Sequence, residues 1–451
     1  MSEALEVWLD GMQGDATAGG LAAGHSLIGV LTRDRGTVRF AYALAWLQHP
    51  QAFAIDPDLP LDRGDFFPSQ TAQGNFRVFD DSSPDRWGQT LMKRREALEA
   101  KDQGRAPRVV TAWDYLGGVQ DVTRQGALRF RLAGTEPFIS NDPLPAPPVA
   151  RLRELEAVAR ELTAKRIDDL DALRRWLAVL VAPGASLGGA RPKANFTDTD
   201  GSLWIAKFPA KDDDRDIGLW EFLTHTLAAK AGVEVPPARV LRFGKHFHTF
   251  CVQRFDRVTR RRSNNANNGN VGNPQHNGSG SGSQRRFYAS AMTLLSKNES
   301  EGSSYVELAE LIQRNGARSF VQQDLTQLFR RVAFNVAVGN RDDHLRNHGF
   351  LRTPAGWRLS PAFDVNPNID KAEHVLNIDA ASNLPSLTAV VDTAAWYGLS
   401  KDDGRKIVDD VVAVTRRWRA AAARAGIARA DIELTAIAFE AAAHHAREAH
   451  G

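Results

Sequence analysis

Apolar and polar positions alternate through Leu5-Glu6-Val7-Trp8-Leu9, and the apolar-rich runs Ser26-Leu27-Ile28-Gly29-Val30-Leu31 and Val38-Arg39-Phe40-Ala41-Tyr42 follow across glycine-containing turns. A two-residue period marks half-buried strands, so a β-rich opening is predicted. Asp80-Asp81-Ser82-Ser83-Pro84-Asp85-Arg86-Trp87-Gly88 has helix-start chemistry, and a helix is expected over 89–99. Gly126-Ala127-Leu128-Arg129-Phe130-Arg131 reads as another strand, 143–148 as a proline-rich joint, and 150–166 as an amphipathic helix. Two hairpins follow. The first turns at Asp198-Thr199-Asp200-Gly201, and the second pairs 240–243 with 248–255. Between them a helix running through Lys230 is closed by Gly232. From Tyr288 the periodicity becomes helical, over 305–314, 319–338, 399–420 and 432–446, interrupted by a hairpin at Thr353-Pro354-Ala355-Gly356. The pattern predicts an α+β chain of two lobes: a β-rich N-terminal lobe, divided into 1–105 and 106–255, and an all-helical C-terminal lobe over 256–451.

Composition narrows the class. With 451 residues, 43% of them hydrophobic and 25% charged, the chain is long enough for two cores and is not globally disordered. A net charge of +3 is no strong nucleic-acid signal. The single cysteine, Cys251, excludes an intramolecular disulfide and fits a reducing compartment. No run of 18 apolar residues occurs, so a cytoplasmic protein without a membrane span is expected. The segment 263–284 is dominated by Asn, Gly and Ser, cannot bury enough apolar surface to offset its ordering entropy, and is read as a disordered insert.

The chemistry concentrates in Asn340-Arg341-Asp342-Asp343-His344-Leu345-Arg346-Asn347-His348-Gly349-Phe350. Asp342 and Asn347 stand at the D-x-x-x-x-N spacing of a kinase catalytic loop, and Asp364 follows behind a hairpin that would fold it back beside Asn347. A carboxylate and an amide carbonyl suit Mg²⁺, and Asp342 suits an acceptor hydroxyl. The same residues would also serve as turn and cap residues after the preceding helix. Upstream, Gly184-Ala185-Ser186-Leu187-Gly188-Gly189-Ala190-Arg191-Pro192-Lys193 combines glycines that admit phosphate oxygens with a hydroxyl and two cations. It is not a Walker A loop, lacking G-K-[ST]. Lys207 ends a strand as a phosphate-pairing kinase lysine does, and Glu221 on the next helix is its candidate partner. Gln253, Arg254 and Phe255 sit where an interlobe hinge would meet adenine.

These motifs together resemble the HipA-like serine/threonine kinases, toxins of bacterial toxin–antitoxin modules. Ser186–Lys193, Gln253-Arg254-Phe255-Asp256-Arg257, Asp342–Asn347 and Ser360-Pro361-Ala362-Phe363-Asp364 carry the resemblance, with Ser83-Pro84-Asp85-Arg86-Trp87-Gly88 and Arg124–Phe130. It implies a two-lobed protein-kinase-like fold with a HipA N-terminal subdomain over 1–105. It also implies Mg²⁺ and ATP: Asp342 as catalytic base, Asn347 and Asp364 as metal ligands, and Lys207 on the ATP phosphates. Gly188, Gly189, Ala190, Arg191 and Lys193 would face those phosphates, while His344, Arg346, Asn347 and Phe363 would line the nucleotide. Ser186 matches the serine these kinases autophosphorylate, an event that would add nearly two negative charges to its loop. The implied partners are a HipB-like helix-turn-helix antitoxin, operator DNA reached through it, and a protein substrate, the family's known targets including aminoacyl-tRNA synthetases. Two other readings stand beside this one: a catalytically weak co-repressor working with a DNA-binding antitoxin, for which the basic Arg416-Arg417-Trp418-Arg419 would touch phosphates, and a small-molecule kinase.

Overall fold

The computed structural model describes residues 3–10, 24–69, 74–140, 146–163, 170–180, 189, 191–244, 247–259 and 283–442. The opening alternation becomes an antiparallel sheet of β1 (Glu3–Leu9), β2 (Ser26–Asp34), β3 (Thr37–Tyr42) and β4 (Leu128–Leu132), in the order β3-β2-β1-β4. Leu5, Val7 and Leu9 take the buried face, as period two requires. The fourth strand comes from beyond residue 105, so the first sheet draws on both expected N-terminal segments. Gly29 is obligatory in β2, because a Cβ there would lie 2.3 Å from the Ala41 carbonyl oxygen.

A second antiparallel sheet contains β5 (Lys193–Thr197), β6 (Leu203–Lys207), β7 (Ala238–Leu241) and β8 (Thr249–Gln253), in the order β5-β6-β8-β7. Its two faces are sorted by strand parity. Trp204, Ala206 and Cys251 pack against the helices Arg86–Asp102, Leu152–Leu162 and Leu170–Leu180. Ile205, Phe250 and Val252 face the other way, toward Phe222 of the helix Ile217–Lys230. Lys207, two residues after Ile205, falls on this second face. Cys251 is wholly buried, and burial pushes its thiol up to about 12, so it serves as a small hydrophobe in the strand.

Two short strands, β9 (Arg257–Thr259) and β10 (Ser283–Arg285), lead into the C-terminal lobe. Of the low-complexity segment, 263–282 lies outside the described residues, whereas Ser283 and Gln284 belong to β10, so the insert ends earlier than expected. Arg285 is buried between Asp121 (3.0 Å) and Asp10 (3.3 Å). The lobe is helical as expected, except for a three-stranded sheet of β11 (Tyr288–Ser290), β12 (Gly349–Thr353) and β13 (Gly356–Leu359), the last two forming the predicted hairpin. Its central helix is Val321–Val338, packed by Tyr305–Asn315 and Lys401–Thr415. The single helix expected over 399–420 is two, Lys401–Thr415 and Trp418–Ala425. The break lets the Trp418 indole stack on Phe439, with ring centroids 4.4 Å apart. That packing buries Trp418, and Arg419 pairs with Glu433 and Glu440, whereas Arg416 and Arg417 stay exposed, so the basic surface of the co-repressor reading is reduced to those two arginines. Among the described residues, no helix is long and apolar enough to cross a membrane.

Candidate active site

Two carboxylates, one from the next helix and one from the C-terminal lobe, converge on Lys207. Its Nζ donates to Glu221 Oε1 at 2.5 Å and to Asp364 Oδ1 at 2.7 Å. Glu221 is delivered by the first turns of the helix Ile217–Lys230, whose N-cap Asp216 accepts the Leu219 amide. Burial alone would lower the Lys207 pKa, but the Asp364 and Glu221 carboxylates outweigh it and hold the ammonium charged. Burial likewise opposes ionisation of Asp364, and Lys207 reverses that, helped by Lys193 and His344, so its carboxyl lies below the usual range. Glu221 is pushed up by burial, against the pull of Lys207, and also accepts from the Asn366 side chain.

Asp364 has φ +58°, in the left-handed region that non-glycine residues rarely enter and that Asp and Asn tolerate best. The backbone before it is clamped. Ser360 N donates to Gly349 O (2.9 Å), Arg331 holds the Ser360 carbonyl, and Ala362 N donates to Glu234 O (2.7 Å).

The loop bearing Asp342 begins where Gly339, at φ +66°, closes the helix Val321–Val338. A side chain there would strike the Ala438 backbone at 2.4–2.8 Å. The two adjacent aspartates then take opposite directions. Asp343 is buried and accepts from Tyr305 Oη (2.7 Å), Asn335 Nδ2 (2.7 Å) and His348 Nε2 (2.8 Å). Burial works against its charge, but His348 and these hydrogen bonds keep its pKa low. Asp342 faces solvent with its side chain 59% exposed, and Lys371 Nζ donates to its Oδ1 at 2.5 Å. Asn347, on a 3-10 turn over Leu345–Asn347, donates weakly to the Asp342 carbonyl (3.5 Å). Its own Oδ1 is buried without a hydrogen-bond partner among the described residues. Such an orphan acceptor calls for a donor or a cation, and an amide oxygen and a carboxylate such as that of Asp364 are the hard oxygen donors that fit Mg²⁺.

A cavity of about 40 Å³ adjoins Lys207, Glu221 and Asp364, lined also by Ile205, His225, Val252 and Phe255 among others. Gln253, Arg254 and Phe363 also line it. Phe255 and Phe363 face each other with centroids 5.4 Å apart. His225 sets the polar inner wall: its Nε2 lies 2.7 Å from the Pro236 carbonyl, so Nε2 carries the proton, and burial lowers the pKa of the ring. The Gln253 and Arg254 amides already donate to the Pro237 and Leu203 carbonyls, 2.9 Å each, and are not open to a ligand. The Arg254 guanidinium is likewise turned inward, onto Asp256, Asn195 and the Thr123 carbonyl.

The glycine-rich loop is described only in part. Ser186, Gly188 and Ala190 lie outside the described residues. Gly189 has φ +88°. Arg191 forms a two-pronged pair with Asp213, and Lys193, fully buried, donates to Asp85 Oδ2 at 2.6 Å and to the Gly189 carbonyl at 3.2 Å. The expected pair of free phosphate-gripping cations is corrected to this extent: both are committed to carboxylates, and Lys193 braces the loop from beneath. Arg346 is half-exposed, 3.7 Å from Asp81, and His344 leads the 3-10 turn with its Nδ1 buried and unpartnered among the described residues. Lys371, Asn366 and Asp85 were not singled out as site residues by the sequence. Only Asp85, inside the Ser83–Gly88 motif, carried any signal.

The geometry has counterparts among known proteins. Residues 185–418 match the HipA-like C-terminal domain and residues 21–106 the HipA N-terminal domain. The kinase candidate Y4mE of Sinorhizobium fredii is 26% identical over 421 residues, 89% of this chain and 86% of that protein. The serine/threonine-protein kinase toxin HipA of Shewanella oneidensis is 27% identical over 236 residues, 48% of this chain and 50% of that protein. A solved complex of Shewanella oneidensis HipA with HipB and operator DNA superposes with a TM-score of 0.59 at 19% identity, covering 92% of this chain and 94% of that one, so the fold is shared. The chain belongs to the HipA-like family of kinases.

Proposed function

We propose that this protein is a serine/threonine-protein kinase that transfers the γ-phosphoryl group of ATP to a protein hydroxyl. The observation that carries the reading is the buried Lys207 ammonium held between Glu221 and Asp364, beside a cavity that the two lobes line together through Ile205, Val252 and Phe255 on one side and Phe363 and Asp364 on the other. Lys207 would bind ATP phosphates, with Glu221 fixing its position. Ile205, Val252 and Phe255 offer apolar surface to adenine, and the hinge contact falls to the Phe255 backbone, the Gln253 and Arg254 amides being committed. Asn347 and Asp364 would hold Mg²⁺, which neutralises phosphate charge when bound. Asp342 would orient the acceptor hydroxyl and take its proton. Gly188, Gly189 and Ala190 would cover the phosphates, with Arg191 and Lys193 shaping that loop, while His344, Arg346 and Phe363 border the nucleotide.

The same reading extends to regulation. Phosphate on Ser186 would repel the ATP phosphates and draw the loop toward arginines, silencing the enzyme. A HipB-like antitoxin, bound to operator DNA, is the proposed partner, on the strength of the Shewanella complex. The substrate is a protein hydroxyl, with aminoacyl-tRNA synthetases the first class to try. The test is incubation of the full chain with γ-labelled ATP and Mg²⁺, followed by mapping of the label. Label on Ser186 or on an added protein supports the reading. Label on a small molecule alone, or DNA-bound assembly without any label, replaces it with one of the two alternatives.

A further inference from the structure

Lys371 is a residue that neither spacing nor resemblance singled out. It donates to Asp342 at 2.5 Å, the only ion pair Asp342 makes among the described residues. Both side chains are about half exposed, 43% for Lys371 and 59% for Asp342, and pairs so exposed contribute little to folding. The backbone beneath Lys371 is nevertheless firmly held. Arg341, next to Asp342, donates to the Asn368 carbonyl (3.3 Å) and to the Lys371 carbonyl, while its other Nη reaches the Ile437 carbonyl (3.0 Å). Asn368 Oδ1 accepts the amides of Asp370 (3.0 Å) and Lys371 (2.9 Å). Asn368 N is tied to Gly339 O (2.8 Å) and Val375 N to Arg341 O (3.0 Å). A rigid mount thus holds a flexible cation at the carboxylate that the kinase reading assigns as base.

Resting on that reading, we propose that Lys371 is a catalytic residue: when the acceptor hydroxyl docks, its ammonium passes from Asp342 to the oxygens of the phosphoryl group in flight. The docked hydroxyl takes the Asp342 carboxylate as its acceptor and displaces the ammonium. The acceptor oxygen then bonds to the γ-phosphorus, and the bond from that phosphorus to the bridging oxygen breaks. Its electron pair leaves with ADP, and the hydroxyl proton goes to Asp342. Lys371 has a reach that Lys207 lacks, because Lys207 is pinned between two carboxylates in the other lobe. A cation engaged only as charge moves raises turnover without tightening ATP binding.

The experiment compares the full chain with Lys371→Ala and Lys371→Arg. Turnover is followed with labelled ATP and Mg²⁺, and calorimetry gives the affinities for Mg-ADP and for Mg-ADP with aluminium fluoride, a mimic of the transferring group. Lys371→Ala is expected to lower kcat by about 10²–10³-fold with KM for ATP, Mg-ADP affinity and melting temperature near parental values. It should also lose the extra affinity for the fluoride complex, and Lys371→Arg should recover part of both. If Lys371→Ala keeps pace with the parent or exceeds it, the pair is idle or a latch and the inference falls while the kinase reading stands. If it weakens Mg-ADP and the fluoride complex equally, a structural role replaces the catalytic one. A parent that transfers no label brings down the kinase reading and this inference together.

Discussion

Lys207 and Asp364, 157 residues apart, meet at 2.7 Å and tie the second sheet to the loop that follows the C-terminal hairpin. Under the proposed function the pair sets the cation assigned to phosphate against the carboxylate assigned to metal. Lys207 is buried and Asp364 partly so, each keeps its partner ionised, and neither can be removed alone without cost.

Lys207→Met should therefore do two things. It removes the phosphate contact, lowering kcat/KM for ATP by about 10² or more. It also leaves Glu221 and Asp364 facing each other, costing about 3–5 kcal/mol of stability. Adding Glu221→Gln should return part of the stability and none of the activity, as read by urea unfolding beside turnover.

Asp364 separates backbone from chemistry. Asn tolerates its φ of +58°, whereas Ala does not, so Asp364→Ala should lose about 1 kcal/mol more than Asp364→Asn. Both variants, and Asn347→Ala, should raise the Mg²⁺ concentration needed for half-maximal turnover by about tenfold or more. Equal Mg²⁺ titrations in parent and variants would refute the ligand assignment.

The Asp85–Lys193 pair braces the glycine-rich loop from beneath. Lys193→Met should destabilise the fold by about 3–5 kcal/mol, since it strands a buried carboxylate. With Asp85→Asn added, much of that loss should return, because Asn still caps the helix at Gly88 N. Unfolding midpoints of the two singles and the double decide it.

Stability should fall from acid toward neutral pH at Asp80. Burial is the main cause that pushes its carboxyl up to about 7; Asp81 and Asp56 add to it, and Arg346 and Arg77 oppose it. The unfolded residue titrates near about 4, so between those values only the folded chain holds the proton. The stability this contributes is complete below about 4 and is lost as pH rises through about 7. Asp80→Asn should accordingly melt higher than the parent at pH 8, with a smaller gain at pH 5.

How far the site could be read ahead of the structure depended on distance along the chain. The hairpin before Asp364 and the pairing of Lys207 at its strand end with Glu221 on the next helix are local patterns, and the structure has both in place. Lys371 and Asn366 sit in an aperiodic loop whose path is fixed by Arg341 and Asn368, hydrogen bonds that leave no mark on residue spacing. Asp85 meets Lys193 across 108 positions, and only tertiary packing brings them together. The same holds for the fold: β12 and β13 were evident from their turn, whereas the place of β4 in the first sheet depends on a partner more than a hundred residues away.

The most direct measurement sets ATP binding beside phosphoryl transfer in the parent and in Asp342→Asn. The parent should bind Mg-ATP and pass its labelled γ-phosphate to a serine or threonine. Asp342→Asn should bind Mg-ATP as tightly and transfer about 10²–10⁴-fold more slowly. Equal transfer by both proteins, or no nucleotide bound by either, would contradict the assignment of this cleft.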